Sequence, residues 1–349
     1  MATIKDVAKR AGVSVATVSR VINLSPQTRP DTVESVKNAM KDLGYRPNAA
    51  ARTLVNRKSL TIGVVVADVS DPFFGTLVKE VDNLAHQRGH QLLIGNGYHN
   101  AEREKQAIES LIQNQVGALI VHSKALDDET LKNYASELPA MVFINRRIEG
   151  LEARCVYLDN YHGAYLATEH LIAQGHQRIA HIGSDHDIED TQQRRQGYLD
   201  ALTAHKLGAP DANSESEQDK SWIAFAPPDE EGGEAAIKAL LQREEKISAV
   251  FCYNDGMAAG VITALTDDGY RVPHDISVVG FDDSLIARYM HPKLTTVRYP
   301  ISAMATHAAE LAIALSMQSD TQKKNGTYQP TLITRESVMP ETVQRSFKG

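Results

Sequence analysis

Ile4-Lys5-Asp6-Val7-Ala8-Lys9-Arg10-Ala11-Gly12-Val13-Ser14-Val15-Ala16-Thr17-Val18-Ser19-Arg20-Val21-Ile22-Asn23 reads as two short helices joined by a tight turn. Ile4, Val7, Ala8 and Ala11 recur at helical spacing and make one apolar stripe. Thr3 with Asp6 three residues on is an N-cap signature. Gly12 predicts the stop, since glycine takes left-handed backbone angles at little cost. Ser14 predicts the cap of a second helix. On that helix Val18, Val21 and Ile22 face inward, and Val15, Ala16, Thr17, Ser19 and Arg20 are left outside. A third amphipathic segment runs through Val33, Val36, Met40 and Leu43, and Gly44 ends it. Helices this short need one another to be stable.

The outer face of the second helix is small enough to lie close to base edges in a major groove. Arg20 has the reach for guanine, while Val15, Ala16 and Thr17 suit a thymine methyl or a phosphate. An ordinary helical hairpin in a core is the competing reading. Charge weighs against it: residues 1–58 hold five Lys and six Arg against four acidic residues, a net +7. The whole chain is −7, so the remainder carries −14. A basic head on an acidic body confines polyanion contact to one end. After Tyr45-Arg46-Pro47 comes a segment from Asn48 to Lys58, about two to three turns long and marginal as a free helix. Asn48 is placed to cap it. Leu54 is expected to sit exposed on this basic helix, a position that suits a wedge between bases in a minor groove. A plain linker with one stray leucine is the alternative.

A chain of 349 residues predicts two or three folding units. Its 42% hydrophobic and 23% charged content suits a globular protein with a real core. No run of about 18 apolar residues is present, so a membrane span is not expected. Nor is a secretory signal, because no apolar segment follows a basic start. Cys155 and Cys252 are the only cysteines and are expected to stay reduced. Without paired Cys/His spacing they do not suggest zinc. The expectation is a cytoplasmic protein with no metal and no cofactor.

From Leu60 onward short apolar runs alternate with helical segments. The runs are Thr61–Ala67, Gln91–Gly95, Ala118–His122, Met141–Ile144, Cys155–Leu158, Arg178–Ile182, Ala249–Tyr253 and Ser277–Gly280. The helical segments include Phe74–Gln87, Glu102–Gln113, Tyr161–Gln174, Arg194–Ala204, Gly233–Leu241 and Met257–Asp267. Buried strands alternating with helices predict parallel sheets covered on both faces, a doubly wound α/β body. Polar residues recur after the strands: Asp68 and Asp71, Asn96, His122 and Ser123, Asn145-Arg146-Arg147, Asp159, Ser184, Asn254-Asp255 and Asp282-Asp283. In open α/β sheets ligands bind beyond the carboxyl ends of the strands. Asp, Asn and Arg beside Phe suit a polyhydroxylated ligand, whose hydroxyls they pair and whose apolar face a ring covers. Any one of these residues is also a good helix N-cap; the recurrence at one end is what predicts a cleft.

Several motifs carry a specific resemblance. The run Thr3–Asn23, the Tyr45-Arg46-Pro47-Asn48 junction and Ala51-Arg52-Thr53-Leu54 resemble the lac repressor family of bacterial transcription regulators. So do Asp68-Val69-Ser70-Asp71-Pro72-Phe73-Phe74, Gly175-His176-Gln177-Arg178-Ile179, Tyr253-Asn254-Asp255, Val279-Gly280-Phe281-Asp282-Asp283 and Leu294-Thr295-Thr296-Val297, so the likeness spans almost the whole chain. Leu93–Asn100, Val121–Leu126 and Leu294–Pro300 are similar to the family's galactose-responsive branch.

The resemblance implies a helix-turn-helix head (1–46), a hinge (47–59) and a two-lobed body of periplasmic-binding-protein type (60–349). It places the N-lobe at about 60–161 and 290–322, and the C-lobe at about 162–289 and 323–340. Three crossovers join the lobes, with the effector between them. It implies DNA contacts from Thr3, Ser14, Val15, Ala16, Thr17, Ser19, Arg20, Asn23, Tyr45, Asn48 and Ala51, with Leu54 as the intercalating leucine. It implies effector contacts from Phe73, Phe74, Asn145, Arg194, Asn254 and Asp282. The partners implied are a pseudo-palindromic double-stranded operator, a sugar inducer (D-galactose) and a second copy of the chain. Ala16 is small where some relatives carry a long polar side chain, which leaves the operator sequence open. The end, Val343-Gln344-Arg345-Ser346-Phe347-Lys348-Gly349, carries no leucine heptads, so a dimer without a tetramerising coiled coil is expected.

Two other functions compete. A sugar-modifying enzyme would need acid/base or phosphate-handling residues. Asp282-Asp283 is a poor acid/base pair, because neighbouring strand residues point to opposite faces. Neither a GxxxxGK[ST] phosphate loop nor a Gly-x-Ser-x-Gly elbow is present. A transport binding protein would account for the body but not for the basic head.

Overall fold

The computed structural model describes residues 2–22, 28–45, 59–207, 222–243, 246–319 and 326–346. The chain divides into two compact units, Met1–Leu60 and Thr61–Gly349. The expected sites Asn23, Asn48, Ala51 and Leu54 lie outside the described residues.

The first unit is built from α1 (Ile4–Ala11), α2 (Val15–Ile22) and α3 (Pro30–Asp42). Its local signals do what their chemistry dictates. The Thr3 hydroxyl accepts from the Asp6 N–H while Asp6 accepts from the Thr3 N–H, a complete capping box. Gly12 turns left-handed at φ 67°, and the Val13 N–H reaches back to the Ala8 carbonyl at 3.0 Å. Gly44 repeats the device at the end of α3, with the Tyr45 N–H on the Met40 carbonyl at 2.9 Å. Val7, Ala8, Val18, Val21, Val36 and Ala39 form the core, and Ile4, Ala11, Val13, Ile22, Val33, Met40, Leu43 and Tyr45 pack around it.

The second unit holds two sheets of six strands among the described residues. In the first sheet lie β1 (Thr61–Val66), β2 (Gln91–Asn96), β3 (Ala118–Val121), β4 (Met141–Ile144), β5 (Cys155–Leu158) and β11 (Thr327–Tyr328). Their order is β11-β5-β4-β3-β1-β2, and every pair is parallel. In the second lie β6 (Ile179–Ser184), β7 (Ile223–Ala226), β8 (Ala249–Cys252), β9 (Ser277–Asp282), β10 (Thr295–Arg298) and β12 (Thr331–Ile333). Their order is β12-β10-β9-β8-β6-β7, with only β10–β12 antiparallel. Helices α4 (Pro72–Gln87), α5 (Ala101–Gln113) and α6 (Asp128–Glu137) belong to the first lobe. The second lobe carries α7 (Asn160–Ala173), α8 (Glu189–Ala204), α9 (Glu230–Leu241), α10 (Asp255–Asp267) and α11 (Leu285–Tyr289).

Strand pairing shifts two of the expected lobe limits. The second stretch of the N-lobe does not begin at 290: β10 pairs with β9, Thr295 opposite Val279, and so belongs to the C-lobe sheet. The chain returns only after Arg298, and α12 (Ile301–Ser316) packs on α4, β3 and β4 of the first lobe. Nor does the last C-lobe stretch begin at 323. β11 pairs with β5 in the first sheet, and the chain crosses back before β12. The three crossings therefore lie at 159, 299–300 and 329–330. The physical reason is that strands of two to four residues are fixed by their sheet partners, which local sequence does not name. Cys155 and Cys252 are free and buried on β5 and β8, in different sheets.

Candidate functional site

The first candidate surface is the outer face of α2. Ser14 accepts from the Thr17 N–H at 3.1 Å, and the two hydroxyls are 2.8 Å apart. This cap fixes the first turn of the helix. Val15, Ala16 and Arg20 are exposed, and Val18 and Val21 are buried. Thr17 and Ser19 are half-buried at the flank. Thr3 is held by Asp6, to which its hydroxyl donates at 2.8 Å, and Tyr45 packs against the head core. The arrangement is a short helix with a small, firmly capped N-terminal turn and one exposed guanidinium. That suits insertion into a groove with the helix N-terminus toward phosphate.

The second candidate lies in the body, between the carboxyl ends of the two sheets. In each sheet the strand order reverses beside the cleft, at β1/β3 and at β6/β8, which is where open α/β sheets bind ligands. From the first lobe, α4 follows β1 and presents Phe73 and Phe74; Asp71 caps it, accepting from the Phe73 N–H at 2.8 Å. Phe73 meets Phe74 and Tyr299 edge to face, with ring centroids 5.1 and 4.9 Å apart. His99, His122 and Asn145 complete this wall. From the second lobe come His186, Asp190, Arg194, Pro228, Tyr253, Asn254 and Asp282. An inner chamber of about 90 Å³ shares Asp71, Phe73, Pro228, Asn254 and Asp282 with an outer one of about 650 Å³. Leu285, Ile286 and Tyr289 of α11 line the outer part.

All six expected effector residues meet here, but several have protein partners already. Asn145 donates to Asp190 at 2.9 Å and accepts from the Tyr299 hydroxyl. Asn254 caps α10, accepting from the Met257 N–H at 2.8 Å, and donates to the Pro228 carbonyl. Asp159 caps α7 in the same way. Arg194 is 3% exposed and lies 3.7 Å from the Phe281 ring centre. It donates to the Tyr253 carbonyl at 2.6 Å and to Asn160 at 2.9 Å. Its remaining nitrogen faces Asp282 at 3.7 Å. Burial pushes the Asp282 carboxyl well above the usual carboxylate range, even against that guanidinium. Asp283 faces away, to Arg298 at 2.8 Å and Arg335 at 2.5 Å, so the adjacent carboxylates do not converge.

Three residues of positive φ mark the site: His99 at φ 51°, Asn145 at φ 59° and Asp282 at φ 111°. Backbone in such sparsely populated regions costs roughly 1–3 kcal/mol and collects at ligand clamps. Across the cleft, Lys124 of the first lobe pairs with Asp190 of the second at 2.7 Å, both nearly buried. Lys124 also donates to the Asn145 carbonyl. Burial raises Asp190, but Lys124 and Arg194 together outweigh it, so its carboxyl sits below the ordinary range.

Residues 3–48 match the family described as "Bacterial regulatory proteins, lacI family", and residues 168–338 match the "Periplasmic binding protein-like domain". The HTH-type transcriptional regulator GalR of Salmonella typhimurium (strain SL1344) is 51% identical over 342 residues, which cover 98% of this chain and 97% of that protein. The chain belongs to the LacI family. The HTH-type transcriptional regulator GalS of Salmonella typhimurium (strain LT2) is likewise 51% identical, over 97% of each chain. Among solved structures, the lac repressor dimer bound to operator and the anti-inducer ONPF superposes with a TM-score of 0.83 at 26% identity. It covers 97% of this chain and 99% of that one. This LacI-family chain is a DNA-binding transcriptional regulator, not an enzyme. No helix among the described residues is long and apolar enough to cross a membrane.

Lys124, Asp190, Tyr299, His99 and His186 were not singled out from sequence, and His122 was noted only among the polar residues that follow the strands. His122 ends a strand, a signal the pattern carried. Asp190 and Tyr299 gave none, because the second lobe brings Asp190 there and a crossing brings Tyr299.

Proposed function

We propose that this LacI-family regulator is a repressor of galactose transport and catabolism genes, released from its operator by D-galactose. The observation that carries the reading is identity of 51% to GalR and GalS along essentially the whole chain, head and cleft together. In this reading two copies form a dimer in the cytoplasm, and their heads bind a pseudo-palindromic operator. Val15, Ala16 and Arg20 meet base edges, and Thr3, Ser14, Thr17, Ser19, Asn23 and Tyr45 meet the backbone. Asn48, Ala51 and Leu54 form the hinge in the minor groove.

Phe73 and Phe74 cover the apolar face of the sugar, while Asn145, Arg194, Asn254 and Asp282 position its hydroxyls, directly or by holding the wall. Galactose acts because it binds one arrangement of the lobes better than the other; without that difference it shifts nothing. The test is operator binding by the full-length protein with and without a panel of monosaccharides. Galactose is expected to weaken operator affinity by about 5- to 150-fold, the usual range of allosteric coupling. Release by a different sugar overturns galactose as inducer, and release by none overturns the induced-repressor reading.

A further inference from the structure

Among the polar groups lining the inner chamber, the histidines stand out by what they lack. Asn145, Asn254 and Arg194 are engaged by protein partners. His122 is 2% exposed, yet its Nδ1 has no hydrogen-bond partner, and the buried Nδ1 of His99 has none either. A buried polar nitrogen without a partner is costly, so two in one wall call for an explanation. Both line the chamber wall. His122 packs edge-on against Phe74 at 4.7 Å, and His99 lies 5.7 Å from His122. His186 of the other lobe faces His99 at 5.2 Å, so closing the lobes buries His99 against it.

We propose that His99 and His122, in their neutral forms, are hydroxyl-reading partners of the effector, and that closure on the sugar is therefore linked to loss of protons from these rings. This rests on the sugar-effector reading above. A neutral imidazole offers one donor and one acceptor nitrogen, the pairing a sugar hydroxyl can satisfy from either side. A charged imidazolium would offer only donors, and would stand in a chamber lined by Arg194 and close to the Lys124 ammonium.

The charged and titratable groups around the pair come from every neighbouring element. Lys124, Asp71 and Tyr299 face them from the first lobe and its crossing, and His186, Asp190, Arg194, Tyr253 and Asp282 from the second. Burial is the largest influence on His99 and, with His186 and Lys124 adding to it against Asp190, brings it down to about 4. Burial also holds His122 well below the ordinary histidine value, with Lys124 and His99 adding and Asp190 opposing. The sign follows. An opened cleft returns these rings toward 6.5, so protons favour the open form. Closure is fully supported above that value and weakens as pH falls from it toward about 4. Asp282 shifts upward on burial and acts in the opposite sense, so the histidine contribution is read from a comparison of variants.

The experiment is calorimetric titration of D-galactose into the full-length protein at pH 7.5 and 5.5, for wild type, His99→Gln and His122→Asn. The ratio of wild-type to His99→Gln affinity is expected to fall by about tenfold between the two pH values, the effect of one histidine proton. His122→Asn is expected to flatten the profile in the same sense. A merely structural histidine changes affinity by the same factor at both pH values. Ratios that do not vary with pH for either variant overturn the inference while galactose binding itself stands. Absence of galactose binding by wild type at both pH values overturns the effector reading, and the inference with it.

Discussion

Arg20 is the only basic residue on α2 and is exposed at its last turn. If it pairs bidentately with a guanine, Arg20→Ala costs about 1–3 kcal/mol at the cognate site and relaxes preference at one base pair. Binding assays on single-base operator variants check this; an unchanged preference at every position contradicts it. Lys124 makes a different case. It meets Asp190 at 2.7 Å with both groups almost fully buried, so Lys124→Ala removes the ion-pair partner of a buried carboxylate and leaves it Asn145 as a donor. Breaking such a pair from one side costs about 3–5 kcal/mol. Urea denaturation of the variant is expected to show an earlier midpoint, and an unmoved midpoint contradicts a stabilising role for the pair. Asp190 has its carboxyl held below 3.8, so its contribution is present at neutral pH and is lost as pH falls below that value. At this scale the sequence was only half legible. It placed Asn145, Asn254 and Asp282 at strand ends, but not the partners that engage them, because Tyr299 is 154 residues from Asn145.

Helix crossings decide much at the scale of elements. An added Cβ at Gly260 of α10 would stand 1.9 Å from the Glu230 carbonyl of α9, and one at Gly197 of α8 would stand 2.2 Å from the Tyr161 carbonyl of α7. Backbone cannot yield as a flexible side chain does. Gly260→Ala is therefore expected to destabilise the C-lobe by about 1–3 kcal/mol, the usual cost of overpacking, read as a lower thermal midpoint. An unchanged midpoint would mean that the two helices can part. The hinge belongs to this scale too. Leu54→Ala is expected to weaken operator binding and leave sugar affinity intact; normal operator affinity in that variant contradicts the wedge.

The head was fully legible as elements, because capping and glycine stops are local. Thr3, Asp6, Gly12 and Gly44 act within five residues of themselves. By contrast α12 buries Ile301, Met304, Ala305, His307, Ala308, Ala309, Ala312 and Ile313, and only the thin stripe Ser302, Thr306 and Glu310 marks its outer face at helical spacing. The strands β11 and β12 are too short for any pattern, and only their sheet partners define them.

Over the whole molecule, charge is divided: +7 in residues 1–58 against −14 in the remainder. Operator affinity should accordingly fall steeply with salt, through the head's phosphate contacts, while sugar binding in the body should hardly respond. Head and cleft have separate chemistry, and regulation requires that they share a free energy. Whatever factor galactose takes from operator affinity, operator must take from galactose affinity. The direct measurement is galactose titration of the full-length protein alone and saturated with operator duplex. Galactose is expected to bind more weakly on operator, by the same factor that galactose imposes on operator binding. Equal galactose affinity with and without operator contradicts that coupling.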